Sequence, residues 1–116
     1  MKRNVIQEKS YAYAIRIVFL YKHLVEKKKE YVLSKQILRS GTSIGANVEE
    51  AIGGQSRKDF ASKLAVAYKE ARETNYWLRI LRDTSYLEEK HATSLLNDCE
   101  EILKIIGSIQ NTIRNS

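Results

Sequence analysis

The stretch "RSGTSIGANVEEAIGG", Arg39 to Gly54, decides the fold. It holds four glycines, two serines and a threonine between segments of strong helical periodicity, so it reads as a phosphate-cradling loop, a hinge, or a helix with an unusual face. Leu33, Ile37, Gly41, Ile44, Val48 and Ala51 or Ile52 follow one another in steps of three and four, the spacing of one helix face. A phosphate loop needs G-x-x-x-x-G-K and then Ser or Thr after an apolar strand, and both the lysine and the strand are missing. The stretch is a helix, and a P-loop nucleotide site is excluded.

Gly41 and Gly45 each weaken that helix by about 1 kcal/mol relative to alanine. Close approach of a second helix is the usual compensation, because a missing side chain lets two backbones draw together. Beside them Gln36, Ser40, Ser43, Asn47 and Glu50 form a polar line, again at steps of three and four. That line is a solvated edge or a hydrogen-bonded seam against a neighbour, and its short side chains favour the seam. Gly53 and Gly54 are expected to end the helix through a left-handed cap.

Working outward, the preceding helix is apolar on two sides, with Tyr11, Ile15, Val18 and Val25 on one and Tyr13, Ile17, Leu20 and Leu24 on the other. The run "EKKKEY", Glu26 to Tyr31, is the first turn. On the far side "SRKD", Ser56 to Asp59, resembles a capping box and opens a third helix whose core stripe is Phe60, Leu64, Ala67, Ala71, Leu78 and Leu81. After "RDTSYLEE", Arg82 to Glu89, the last helix carries Leu95, Leu96, Cys99, Ile102, Leu103, Ile106, Ile109 and Ile113. With no proline among 116 residues nothing forces a break inside these segments. The expected fold is all-α: one domain, residues 1–116, with helices over about 8–28, 32–53, 57–83 and 88–114 in an antiparallel up-down-up-down four-helix bundle.

Spare apolar positions call for a further partner. Tyr13, Ile17 and Leu20 on the first helix, with Val66 and Trp77 off the core stripe of the third, are the expected oligomer interface. No apolar run is long enough for a membrane span. A charged amino terminus and a single cysteine, placed within the apolar stripe, point to a cytoplasmic protein with a buried thiol.

Candidate chemistry is sparse. His23 and His91 each stand alone on a helix face, and Glu88-x-x-His91 is one copy of a motif that a di-iron bundle needs twice, so neither metal nor cofactor is expected. Glu70 and Glu73 are accounted for by ion pairing along the third helix, such as Lys69 with Glu73. No nucleophile or acid pair marks an enzyme. Charge is more telling: residues 1–82 carry 17 Lys or Arg against 8 Asp or Glu, and residues 83–116 carry 3 against 6. Within the basic part, Lys58, Lys69, Arg72, Tyr76 and Arg79 fall within about 80° of one another around the third helix. This stripe is a solvated face, or it tracks a nucleic-acid backbone through counterion release with a tyrosine to stack on an unpaired base.

"SGTSIGANVEEA", followed by "GGQSRKDFASKLAVAYKEARETNYWLRILRDTSYL", resembles the bacterial 23S rRNA-intervening sequence protein family, through Ser43, Ile44, Ala46, Asn47, Val48 and Glu50, through Phe60, Leu64, Ala67 and Glu73, and through Tyr86-Leu87. The likeness runs from Tyr11 to about Ile113. Gly45 stands where many members have proline, Ala51 replaces a common glycine, and Lys69-Glu70 a common Gly-Ser. More distantly, the chain is similar to the accessory variability protein of diversity-generating retroelements. Both resemblances imply a ring-shaped homopentamer without enzymatic activity that binds structured RNA or DNA, or a nucleic-acid-processing protein, through a basic surface. A rival reading is an oligomer that scaffolds another protein and touches no nucleic acid.

Overall fold

Asn4 opens the first helix, its side-chain oxygen accepting the Gln7 backbone N–H at 3.0 Å. The computed structural model describes residues 4–116, so Lys2 and Arg3 of the basic part lie outside the described residues. Four helices follow: α1 (Val5–Glu26), α2 (Leu33–Ile52), α3 (Arg57–Asp83) and α4 (Glu89–Arg114). No strand occurs among the described residues, and no helix there is long and apolar enough to cross a membrane. The Asn4 cap starts α1 earlier than residue 8, the position that apolar spacing alone indicates.

Pairwise contacts give the direction of each helix. Ser10 lies against Gly45 and Ile17 against Gly41, so α1 and α2 run oppositely. Ser40 bonds Thr74 while Glu50 pairs with Lys63, and Ala71 accepts from Cys99 while Arg57 reaches Ser116, so α2 opposes α3 and α3 opposes α4. Lys9 with Glu101 and Arg16 with Asp98 close the ring of helices, although α1 and α4 touch least. The molecule measures 46 × 25 × 21 Å. Its axis is filled by Tyr13, Ile17, Leu24, Ile37, Ile44, Leu64, Leu78, Leu81, Ile102 and Ile106.

Three expectations need correction. Tyr13, Ile17 and Leu20 are not free to form an oligomer interface: they are core residues, 2%, 0% and 6% exposed, and the Tyr13 hydroxyl donates to the Leu95 carbonyl at 3.0 Å. Of the two apolar faces of α1, the outer one carries Tyr11, Ile15 and Phe19. Periodicity finds both faces but does not say which turns inward; Gly41, which receives Ile17, makes that choice.

The polar line of α2 also divides. Ser40 is buried and accepts a hydrogen bond from Thr74 at 2.9 Å, which makes one true seam contact with α3. Ser43 and Asn47 bond back to the Arg39 and Ser43 carbonyls of their own helix, Glu50 is an exposed partner of Lys63, and Gln36 is exposed. The glycine seam lies instead against α1. A Cβ on Gly41 would stand 2.7 Å from Ile17 Cγ1, and one on Gly45 3.2 Å from the Ser10 carbonyl oxygen.

Third, no glycine caps α2 in the left-handed region, since Gly53 has φ −81° and every positive φ belongs to Lys29 (55°) or Ser85 (66°) among the described residues. Gly54 is small for a different reason: a Cβ there would lie 3.1 Å from the Ala51 oxygen and 3.2 Å from Asp59 Cβ in the first turn of α3. The tight corner, rather than backbone handedness, excludes a side chain.

Glu30 supplies the turn between α1 and α2. Its carboxylate accepts backbone N–H groups of Val32 (3.1 Å), Leu33 (3.0 Å) and Ser34 (2.7 Å), while its own carbonyl takes the Ser34 hydroxyl at 2.9 Å. Those amides are the orphan donors of a helix start, where a negative charge is also favoured by the helix dipole. Burial pushes the carboxyl up, but the amide donors outweigh burial and hold it below its ordinary value.

Two tests follow from these contacts. Gly41→Ala is expected to destabilise the fold by about 1–3 kcal/mol despite its better helix propensity, because Ile17 must move. In the Ile17→Ala background the same change should cost far less, and chemical denaturation of the four-member cycle measures the difference. A lowered carboxyl stabilises above its unfolded pKa, and that contribution disappears as the pH falls through the folded one. Glu30→Gln should therefore lose about 1–3 kcal/mol at neutral pH and show a shallower decline than the native chain in urea melts between about pH 5 and pH 3.

Candidate nucleic-acid interface

Ser56 begins α3 by accepting the Asp59 N–H at 3.1 Å. From there Leu64, Ala67, Ala71, Thr74, Leu78 and Leu81 turn inward. The opposite face is thereby fixed outward, and Lys58, Lys69, Arg72, Tyr76 and Arg79 are all exposed. Tyr76 is 49% exposed despite its ring, with Arg79 over it at 5.8 Å and the Trp77 ring edge-to-face at 5.2 Å.

Two carboxylates of α3 are engaged from α2. Arg39 of α2 takes both Glu70 and Glu73, so Glu73 pairs across the bundle rather than with Lys69 along α3. Trp77 donates its indole N–H to the same Glu73 carboxylate at 2.9 Å and is only partly exposed. Lys69 and Arg72 consequently have no ion-pair partner among the described residues. An unpaired cation on a rigid helix keeps its full attraction for an anion.

The stripe is not one continuous site. Lys58 lies three helical turns from Lys69 along the axis, with Ala65 and the 40%-exposed Val66 between. Arg72, Tyr76 and Arg79, by contrast, form one wall of an open groove of about 700 Å³ between α3 and α4. Lys104 of α4 joins them, together with Tyr68, Glu73, Asn75, Glu100, Leu103 and Gly107. The small side of Gly107 leaves room beside Tyr68, whose ring lies 4.0 Å from where a Cβ would be. Tyr68, Asn75 and Lys104 carry no signal in the sequence, because their neighbourhood depends on how α4 is rotated against α3.

A second groove, of about 340 Å³, separates α1 from α4 and is lined by Arg16, Phe19, Leu20, His23, Leu87, His91 and Leu95. It brings together the two histidines that stand alone on their own helices. No three potential metal-ligating His, Cys, Asp or Glu side chains gather among the described residues. Cys99 is buried, donates to the Ala71 carbonyl at 3.2 Å, and is pushed up to about 12 by burial, which leaves no thiolate for chemistry near neutral pH.

This helical arrangement matches known proteins. The model of the family described as 23S rRNA-intervening sequence protein matches residues 2–108. A crystal structure of a protein with unknown function from the S23 ribosomal protein family of Bacteroides thetaiotaomicron VPI-5482 superposes with a TM-score of 0.92 at 55% identity, covering 96% of this chain and 99% of that one. No curated protein matches the chain. Neither description names a reaction. Matched by the family model over nearly its whole length, the chain belongs to the 23S rRNA-intervening sequence protein family.

Proposed function

We propose that this is a cytoplasmic, non-enzymatic protein that assembles as a ring-shaped homopentamer and binds structured RNA or DNA through the exposed basic face of α3. The observation that carries the reading is the cluster of Arg72, Tyr76 and Arg79 with Lys104 across the α3–α4 groove, extended one turn along α3 by Lys69. Cations held on two helices by a packed core lose little freedom on binding, and their attraction to phosphates is released as counterion entropy. Five copies around a ring multiply a modest local charge into a polyanion site.

The outer face of α1 supports assembly. Tyr11, Ile15 and Phe19 are 66%, 43% and 65% exposed at steps of four, which aligns them in one stripe. The same stripe favours the second reading, an oligomer that scaffolds another protein without nucleic acid. Salt separates the two, because phosphate contacts weaken linearly in log affinity against log salt, whereas apolar docking changes little.

In sedimentation, the native protein should run well above its 13.4 kDa subunit mass at micromolar concentration. Replacing Tyr11 and Phe19 together with serine should shift it toward monomer with intact helical dichroism. A native monomer overturns the assembly. For binding, reversing Lys69 and Arg72 to glutamate is expected to abolish retention of structured RNA or DNA while changing stability by less than about 0.5 kcal/mol. Equal binding by the double reversal, measured by titration at low and physiological salt, would make the basic face a solvated surface only.

A further inference from the structure

Besides its cations, the α3–α4 groove contains an ordered polar relay. Arg79 Nε donates to Asn75 Oδ1 at 2.8 Å, and Asn75 Nδ2 donates to Glu100 Oε1 at 3.2 Å. These bonds hold the Glu100 carboxylate at the groove edge, and its second oxygen has no partner among the described residues. Of the two carboxylates that line the groove with Arg72, Arg79 and Lys104, Glu73 is paired with Arg39, whereas Glu100 has no ion-pair partner among the described residues and opposes the field of those cations. For generic phosphate binding it is a cost, so its held position points to a donor-bearing part of the ligand.

We infer that the groove seats one unpaired guanine of a single-stranded segment, with the base against Tyr76, its Watson–Crick edge on Glu100, and flanking phosphates on Arg72 and Lys104. This rests on the nucleic-acid reading above and gives it a base. An ionised carboxylate only accepts hydrogen bonds. Guanine presents two adjacent donors, N1–H and N2–H, on its Watson–Crick edge; adenine and cytosine set an acceptor beside their amine, and uracil sets one N–H between two carbonyls. Two parallel charge-assisted bonds therefore form with guanine alone. In a duplex that edge is occupied, so the base must be unpaired, as sequence-specific RNA recognition commonly requires.

Each part of the nucleotide has a separate counterpart in the groove. Tyr76 and Tyr68 provide aromatic surface, and Arg72 and Lys104, from different helices, have no hydrogen-bond or ion-pair partner among the described residues. Lys69, one turn from Arg72, continues the positive line beyond the groove, within reach of a strand but not of a lone nucleotide.

The test is fluorescence anisotropy with two labelled single strands, one all adenine and one with isolated guanines among the adenines. The native protein should bind the guanine strand roughly tenfold tighter, the size of one good bidentate base contact. Glu100→Gln should bring the two strands within about twofold while holding the all-adenine strand at least as tightly, since a negative charge is gone. Asn75→Ala, which cuts the relay but keeps the carboxylate, should lose part of the preference. Thermal melts of both variants should match the native protein, because these side chains lie at the surface. Equal native affinity for the two strands, or a preference that survives Glu100→Gln, overturns the guanine assignment and leaves the broader reading standing. Binding of neither strand, nor of structured RNA, overturns both. Displacement of the strand by an equal nucleotide concentration of guanosine monophosphate would overturn the strand and assign the groove to a free nucleotide.

Discussion

The approach of α1 to α2 at Ile17 and Gly41 sets the geometry on which the other contacts depend. With no side chain at Gly41, Ile17 enters the space where a Cβ would stand, and one turn further along Gly45 lets the Ser10 carbonyl oxygen come within 3.2 Å of the same position on its own residue. A gap of even 1 Å there would forfeit dispersion contacts along the whole interface. Fixing Ile17 inward fixes Tyr13, Leu20 and Leu24 with it, and so turns Tyr11, Ile15 and Phe19 to the outside. The apolar surface available for assembly is thus decided by a glycine on a different helix.

The polar contacts extend that arrangement around the bundle. Ser40, one position before Gly41, meets Thr74 on α3, and Arg39 before it draws Glu70 and Glu73 to the α2 side. Pairing those carboxylates with Arg39 leaves Lys69 and Arg72 without an ion-pair partner among the described residues. Surface ion pairs of this kind add little stability. Their larger consequence is electrostatic: Glu70 and Glu73 are neutralised from α2, and Lys69 and Arg72 keep their charge for an outside partner.

Glu30 and the tight corner at Gly54 show how the turns are held without proline or left-handed glycine. One buried carboxylate satisfies three backbone donors at the start of α2, while the lack of a side chain at Gly54 admits the first turn of α3. Left-handed backbone falls on Lys29 and Ser85, whose neighbours Glu30 and Tyr86 donate N–H bonds back to Leu24 and Leu81. The bonds made around these residues hold them in a conformation that intrinsic preference would not choose.

The sequence by itself determined the four helices, the stripes of α2, α3 and α4 that fill the core, the helical nature of the glycine stretch and the family. Those features are local or periodic, and spacings of three and four report them directly. Tertiary structure decided what depends on rotation between helices: which apolar face of α1 is buried, that Ser40 of the polar line of α2 is buried against Thr74 of α3 while Glu50 meets Lys63 at the surface, and that Arg39 rather than Lys69 holds Glu73. The same holds for the candidate site, where Arg72, Tyr76 and Arg79 could be grouped on one helix but Lys104, Asn75 and Glu100 could not be joined to them. A helix records in its sequence which residues share a face; which neighbour that face meets is set by side-chain packing between segments far apart in the chain.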